Sequence, residues 1–227
     1  TRPKNLYAMA SVDLARAAVL ARDSLGLQVV GFDLAGEESG YPAEAHKEAF
    51  EYAHKHFLKR TVHAGEAYGP ESIFQAITDL HADRIGHGTY LLEADQIQDP
   101  DIEDREHYVD MLGNYIADRR ITLEVCLTSN LQTNPHLKFL DDHTFRKLRA
   151  KRLSTTLCTD NRLMSNTTVT NELALAVKHL GLDRHDLKSI IIYGFKRSFY
   201  PGSYLNKRQY VRQIIDHYEA VEQKFTA

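Results

Sequence analysis

The sequence predicts an α/β protein built on a parallel sheet, and three observations lead to this fold class. Along the 227 residues, short apolar segments alternate with longer amphipathic ones, which is typical of strands followed by crossover helices. The strand candidates are nearly continuous apolar runs, as expected where helices cover both faces of a sheet. No G-x-G-x-x-G motif follows the first strand, which argues against a dinucleotide-binding sheet. Two architectures remain, a doubly wound open sheet and part of a (β/α)8 barrel.

Caps and breakers set the elements in the first part of the chain. Ser11 can cap a helix that Gly26 terminates. Pro42 and Pro70 suit the first turns of the next two helices. The predicted elements are helix 11–26, strand 27–36, helix 42–57, strand 59–66, helix 69–83 and a short strand within 83–90.

The rest of the chain continues the alternation and then becomes helical. The segment 91–104 is acidic and irregular. No linker, low-complexity tract or repeat interrupts the chain, so we expect one domain over residues 1–227. The predicted elements are helix 105–120, strand 121–130, helix 142–152, strand 153–161 and helices 167–181, 183–199 and 206–225.

The composition excludes several classes of protein. Hydrophobic residues make up 43% and charged residues 26%, with a net charge of −3, so a nucleic-acid partner is not favoured. Cys126 and Cys158 form no Cys-x-x-Cys motif, and we interpret both as small buried apolar residues. The sequence has no membrane-span candidate and no signal-peptide core. We therefore expect a reduced, cytoplasmic protein without a membrane partner.

Polar residues gather where the predicted strands end, which is where catalytic groups sit in a (β/α)8 barrel. Imidazole and carboxylate groups are usual zinc ligands, and a carboxylate that is not a ligand can shuttle protons. The pattern therefore indicates a metal-dependent hydrolase. The strand-end residues are Asp33, Gly36, His63, Glu66, His87, Ser129, Asn130, Asp160 and Asn161.

Each of these residues also has a structural explanation. His63 could bond a loop, Glu66 could lie in the first turn of a helix, and His87 could belong to a glycine turn. Asp160 could cap the following helix, and Asp33 could be a structural carboxylate. It is less plausible that five residues at different strand ends all have separate structural roles than that they share one site. We therefore favour a common metal-dependent site.

Five short motifs make this interpretation specific. The segments VVGFDLAGEE, TVHAGEA, RIGHG, LEVCLTSN and LCTDN resemble the adenosine deaminase family of the amidohydrolase superfamily, in bacterial form. The resemblance runs from about Val29 to the end of the chain. It implies a (β/α)8 barrel with one catalytic Zn²⁺, of which this chain covers about strands four to eight. It also implies deamination of a small purine nucleoside, adenosine or deoxyadenosine, to inosine or deoxyinosine.

The resemblance also implies a role for each motif residue. His63 is similar to the third zinc-binding histidine of the family, and Asp160 to its zinc-binding aspartate. Glu66 resembles the proton-shuttling glutamate. His87 resembles the histidine that orients the zinc-bound water and helps to deprotonate it. Gly36 resembles the glycine whose backbone N–H meets the purine ring.

Asn161 departs from the family pattern, in which many members have a second aspartate that reaches purine N7. An amide NH₂ can donate to that nitrogen without titrating. Asn161 therefore either does the same work or indicates another 6-aminopurine substrate, such as adenine or aminofutalosine. A non-catalytic purine-binding barrel is the remaining alternative.

The family's His-x-His zinc motif has no counterpart on a strand of this chain. His54 and His56 are two residues apart in a predicted helix, where such side chains point about 200° apart, whereas on a strand they would share a face. We therefore expect two further histidine ligands from an N-terminal strand outside this chain. We also expect the 227 residues alone to bind zinc poorly and to be inactive. The oligomeric state is open.

Overall fold

One parallel sheet organises the structure, a computed structural model that describes residues 4–225. Within these residues the sheet has five strands, and each strand pairs with the next one along the chain. The strands are β1 (Gly31–Leu34), β2 (Lys59–Ala64), β3 (Arg84–His87), β4 (Thr122–Val125) and β5 (Thr155–Leu157).

Helices connect the strands and follow the last one. Short 3₁₀ turns lie at Ala43–His46, Ala94–Gln96 and Leu140–Asp142. The α-helices are α1 (Lys4–Asp23), α2 (Lys47–Lys55), α3 (Pro70–Thr78), α4 (Arg105–Arg119), α5 (Leu127–Thr133), α6 (Phe145–Ala150), α7 (Arg162–Ser165), α8 (Val169–Leu180), α9 (Arg184–Arg197) and α10 (Tyr204–Lys224).

The strand order decides between the two architectures. A doubly wound sheet reverses its order at a switch point, whereas the order β1-β2-β3-β4-β5 runs strictly along the sequence and every pair is parallel. This is the arrangement of consecutive strands in a (β/α)8 barrel. The predicted α/β fold of the barrel type is confirmed, and the carboxyl ends of all five strands meet at one edge.

The core lies between the sheet and its helices. Val62, Ile85 and Leu123, from three neighbouring strands, are each 0% exposed, and Ile73 of α3 packs into the same cluster. Burying a side chain of this size stabilises the fold by about 1.5–3 kcal/mol. The strand ends are therefore fixed to a rigid scaffold.

The first helix begins earlier than the sequence predicts. α1 starts at Lys4, so Ser11 lies inside the helix and is not an N-cap. Its hydroxyl lies 2.9 Å from the Tyr7 carbonyl oxygen and 2.7 Å from His46 Nδ1. A serine inside a helix can donate its hydroxyl to the carbonyl four residues earlier. The presence of a serine therefore does not by itself mark the start of a helix.

The predicted strand 121–130 is also wrong in its second half. β4 ends at Val125, and Ser129 and Asn130 lie in helix α5. The carboxylate of Glu172, which is 0% exposed, accepts hydrogen bonds from the Thr128 N–H and hydroxyl. The bond from the Thr128 N–H pairs a backbone donor in the first turn of α5 that the helix itself leaves unpaired. This is a tertiary contact, and the pattern of apolar residues along the sequence does not reveal it.

The two cysteines each follow a strand directly. Cys126 is buried and Cys158 half-buried, and both are free thiols. Burial raises the pKa of both thiols, in the case of Cys158 to about 12. Cys126 thus matches the predicted buried apolar residue, and Cys158 is less enclosed than expected.

The single domain over 1–227 stays a prediction, because residues 1–3 and 226–227 lie outside the described residues. Among the helices between Lys4 and Phe225, none combines the length and the apolar character needed to cross a membrane.

Candidate active site

Two histidines meet where β2 and β3 end. His63 is in β2 opposite Gly86, and His87 closes β3 opposite Ala64. Their rings are edge to face, with centroids 4.7 Å apart. Burial, followed by the neighbouring His63, lowers the pKa of His87 to about 4, so that the His87 imidazole is neutral at pH 7.

Glu66 joins the two histidines from the bend after β2. Its Oε2 lies 3.5 Å from His87 Nε2, and its Oε1 lies 3.0 Å from the Thr133 hydroxyl. Burial raises the pKa of Glu66, against a smaller lowering by the Thr133 hydrogen bond. α3 begins only at Pro70, so Glu66 is not a first-turn carboxylate. Ligand atoms of His63, Glu66 and His87 all lie within 4.8 Å of one another.

Asp160 approaches the site from the end of β5. Its Oδ2 accepts a hydrogen bond of 2.6 Å from the Ser129 hydroxyl in α5. Its charge raises the pKa of both Glu66 and His87, although larger effects oppose it at His87. Asp160 is exposed and does not belong to the three-residue group within 4.8 Å.

The backbone at two of these residues is unusual. His87 has φ 66° and Asp160 has φ 52°, in the left-handed region that costs non-glycine residues energy. Such conformations persist only where the surrounding structure holds them, and they cluster at functional sites.

Asn161 caps the short helix α7. Its Oδ1 accepts from the Met164 N–H at 3.2 Å. The cap that the sequence allowed at Asp160 is therefore made by the next residue. Because the oxygen of Asn161 serves the cap, its amide nitrogen is the atom with which it can donate to a ligand.

Gly36 lines a cavity of about 330 Å³ together with His63, Glu38 and Tyr41. Its φ of +115° is a conformation that favours glycine. The predicted purine contact and the predicted zinc ligand thus border the same cavity.

The His-x-His pair lies away from this group, as predicted. His54 belongs to α2 and stacks on His81 with 4.2 Å between centroids, and His56 caps the helix and stacks on Tyr52 at 4.1 Å. Asp33 lies within β1 and is exposed.

Sequence reasoning missed Glu38. This carboxylate is only 8% exposed and accepts hydrogen bonds from the backbone N–H groups of Gly65, Glu66 and Ala67 at 3.1, 2.8 and 2.6 Å. It therefore holds the bend that carries Glu66. Glu37 and Glu38 are consecutive in one loop, and only the tertiary structure distinguishes them.

We expect Glu38→Ala to lower the free energy of unfolding of the full-length protein by about 3 kcal/mol, because buried N–H groups lose their acceptor. The exposed neighbour Glu37 supplies a matched control, and Glu37→Ala should stay within about 0.5 kcal/mol of wild type. Chemical denaturation measures both. Equal losses in the two variants would contradict the assigned role of Glu38.

These groups together suit acid–base hydrolysis. A carboxyl group with a raised pKa can donate a proton, and a neutral imidazole can bond a reacting water. His63 Nδ1 is buried and has no hydrogen-bond partner in the described part of the chain, which leaves the ring available for another ligand.

Comparison with known proteins agrees with this chemistry. The family model "Adenosine deaminase" matches residues 6–217. The chain is 38% identical over 195 residues to an adenosine deaminase of Mycobacterium avium (86% of this chain, 52% of the relative) and to adenosine deaminase 1 of Streptomyces coelicolor (86% and 47%). It thus spans about half the length of these curated relatives.

Solved structures share the fold. The N6-methyl-AMP deaminase of Arabidopsis thaliana is 28% identical with a TM-score of 0.72, covering 92% of this chain and 55% of that one. An adenine deaminase of Arthrobacter aurescens is 21% identical with a TM-score of 0.73, covering 92% and 58%. The family match over residues 6–217 and the 38% identity show that the chain belongs to the adenosine deaminase family.

Proposed function

We propose that the complete protein is a zinc-dependent hydrolase that converts adenosine or deoxyadenosine and water to inosine or deoxyinosine and ammonia. The observation that carries this proposal is the close group of His63, Glu66 and His87, with ligand atoms within 4.8 Å of one another. A protein that only bound purines would have little use for it. We also propose a cytoplasmic role in purine metabolism.

The residues present fit a zinc ion. His63 offers a buried nitrogen without a partner in the described chain, and Asp160 offers a carboxylate held in place by Ser129. Nitrogen and carboxylate oxygen are zinc ligands, and a catalytic site has at least three from the protein. His63 and Asp160 would supply two of them. When bound, zinc lowers the pKa of a coordinated water to about 7.

Glu66 is suited to protonate purine N1 while oxygen adds to C6. Burial raises its pKa and favours the carboxylic acid. The Thr133 hydroxyl lies 3.0 Å from both Glu66 Oε1 and the Ser129 carbonyl. When Thr133 donates its single proton to that carbonyl, its oxygen can accept from a protonated Glu66.

Two further groups would orient the purine. Gly36 borders the cavity beside His63, where its backbone N–H can meet the ring. The Asn161 amide nitrogen can donate to N7, which is only an acceptor. Both contacts require no titration, so they hold the substrate equally well across neutral pH.

Gly86 provides the space for the His63 ring, and this gives a prediction. A Cβ at Gly86 would lie 2.6 Å from His63 Cδ2, so Gly86→Ala must displace the imidazole. We expect zinc affinity to fall by about 10–100-fold, as for other residues that orient a ligand. Competition titration with a chelating dye measures it.

Gly113 offers the matched control, because a Cβ there meets nothing within 4 Å and the residue lies inside α4. Gly113→Ala should leave zinc affinity unchanged and stabilise the helix by about 1 kcal/mol. Wild-type zinc affinity in Gly86→Ala would count against His63 as a ligand.

The activity is tested on the full-length protein with zinc, by the absorbance change on adenosine and deoxyadenosine. The panel also includes adenine, aminofutalosine and N6-methyl-AMP, because a deaminase of N6-methyl-AMP is 28% identical to this chain. Turnover of adenosine supports the proposal. Turnover of only one of the other compounds in the panel would identify that compound as the substrate instead. Binding of nucleosides in calorimetry without any turnover would favour a non-catalytic barrel.

A further inference from the structure

We propose that His143 and Asn130 are positioning residues that fix His87 in the tautomer with its proton on Nε2. The three side chains form one buried chain of hydrogen bonds that starts at a backbone N–H. The catalytic meaning of this tautomer rests on the proposed function, but its existence does not.

The first link is unambiguous. The Phe145 backbone N–H lies 3.0 Å from His143 Nδ1, and a backbone N–H can only donate. His143 Nδ1 therefore carries a lone pair, and the ring proton is on Nε2. This assignment excludes the doubly protonated ring by geometry, and burial, which lowers the pKa of His143 to about 4, agrees with it.

The second link orients the Asn130 amide. His143 Nε2 lies 3.3 Å from Asn130 Oδ1, and because Nε2 carries the proton, it must donate to the amide oxygen. Rotating the amide by 180° would place two donors against each other. The amide NH₂ consequently faces His87, with Nδ2 3.0 Å from His87 Nδ1.

The third link sets His87 itself. Because the Asn130 NH₂ donates, His87 Nδ1 must accept, and the proton of the neutral ring lies on Nε2. That nitrogen lies 3.5 Å from Glu66 Oε2. His87, Asn130 and His143 are only 1–2% exposed, so bulk water does not compete for these bonds.

This tautomer changes the role of His87 in the proposed reaction. A nitrogen that already carries a proton can donate to the reacting water but cannot take a proton from it. His87 would then orient the water, whereas the family resemblance implies that it also helps in deprotonation. The proton of the water would pass to a carboxylate instead, and Asp160, whose Oδ2 is held by Ser129 at 2.6 Å, is the suitable acceptor.

The test is ¹⁵N NMR of the histidine rings in the full-length protein without added zinc, with His87→Gln to assign its signals. We expect a protonated, pyrrole-type Nε2 and a pyridine-type Nδ1 for both His87 and His143. A proton on His87 Nδ1 would overturn the proposal. The spectrum can be recorded without any turnover. A failure of the proposed function, seen as inactivity on every purine, is therefore distinguishable from a failure of the tautomer proposal, seen as a proton on His87 Nδ1.

Two variants test the relay itself. Asn130→Asp presents only acceptors to His87, so the His87 Nδ1 signal should become protonated. His143→Gln retains a donor toward the Asn130 oxygen and should keep the wild-type pattern at His87. An unchanged His87 in a folded Asn130→Asp variant would remove Asn130 from the relay. If that variant does not fold, the wild-type spectrum decides, because a proton on His87 Nδ1 there overturns the proposal.

Discussion

Replacing Glu66 by glutamine should lower turnover of the full-length protein by about two to four orders of magnitude or more, with zinc content unchanged. Glutamine keeps the size of the side chain and its contact with Thr133, 3.0 Å away in the wild type. It cannot deliver a proton to N1, because an amide is not an acid in this pH range. Steady-state kinetics and metal analysis on the same sample measure the two quantities.

Glu71 is the control for a merely structural carboxylate. It lies in the first turn of α3 and accepts from the N–H groups of Gln98 and Asp99 at 2.6 and 3.1 Å. Glu71→Gln should change stability by about 1 kcal/mol or less and leave turnover near wild type. Near-wild-type turnover in Glu66→Gln would refute the acid role of Glu66.

The sequence was sufficient for the parts of the fold that local patterns encode. Apolar runs located all five strands because most residues of these strands are buried or half-buried. The positions of His63 and His87 followed from this, because parallel strands bring their carboxyl ends to one edge. The close group within 4.8 Å also contains Glu66, which the sequence placed at the end of the predicted strand 59–66.

Features that depend on tertiary contacts were not predictable. The start of α5 depends on Glu172, which is 44 residues away from Thr128 along the chain. The bend at Glu66 depends on Glu38, 28 residues earlier. In both cases a buried carboxylate accepts backbone N–H groups, and no local signal separates it from a solvated carboxylate.

His143 is a further example, since it lies in a segment that reads only as the start of a helix. Its importance comes from Asn130, 13 residues earlier, and through it from His87. Sequence motifs therefore identified the groups expected to face the substrate, while the residues that orient them required the structure.

Replacing Asp160 by asparagine should lower turnover by about two to three orders of magnitude, because the charge of the proposed zinc ligand and proton acceptor is lost. Asparagine retains an oxygen for the Ser129 hydroxyl, which lies 2.6 Å from Oδ2 in the wild type. The fold should therefore persist, and unfolding curves serve as the control. A loss of only a few fold would contradict the role of Asp160 as ligand and proton acceptor.

Ser129 extends this prediction to a double-mutant cycle. Ser129→Ala removes the donor that orients the carboxylate, and turnover should fall by about 10–100-fold. If Ser129 acts only through Asp160, the Ser129→Ala change should cost almost nothing once Asp160 is already alanine, because Asp160→Ala removes the acceptor of the Ser129 hydrogen bond and coupled residues are not additive. Full additivity of the two losses would show that Ser129 acts separately from Asp160, and the hydrogen bond between them would then have no part in catalysis.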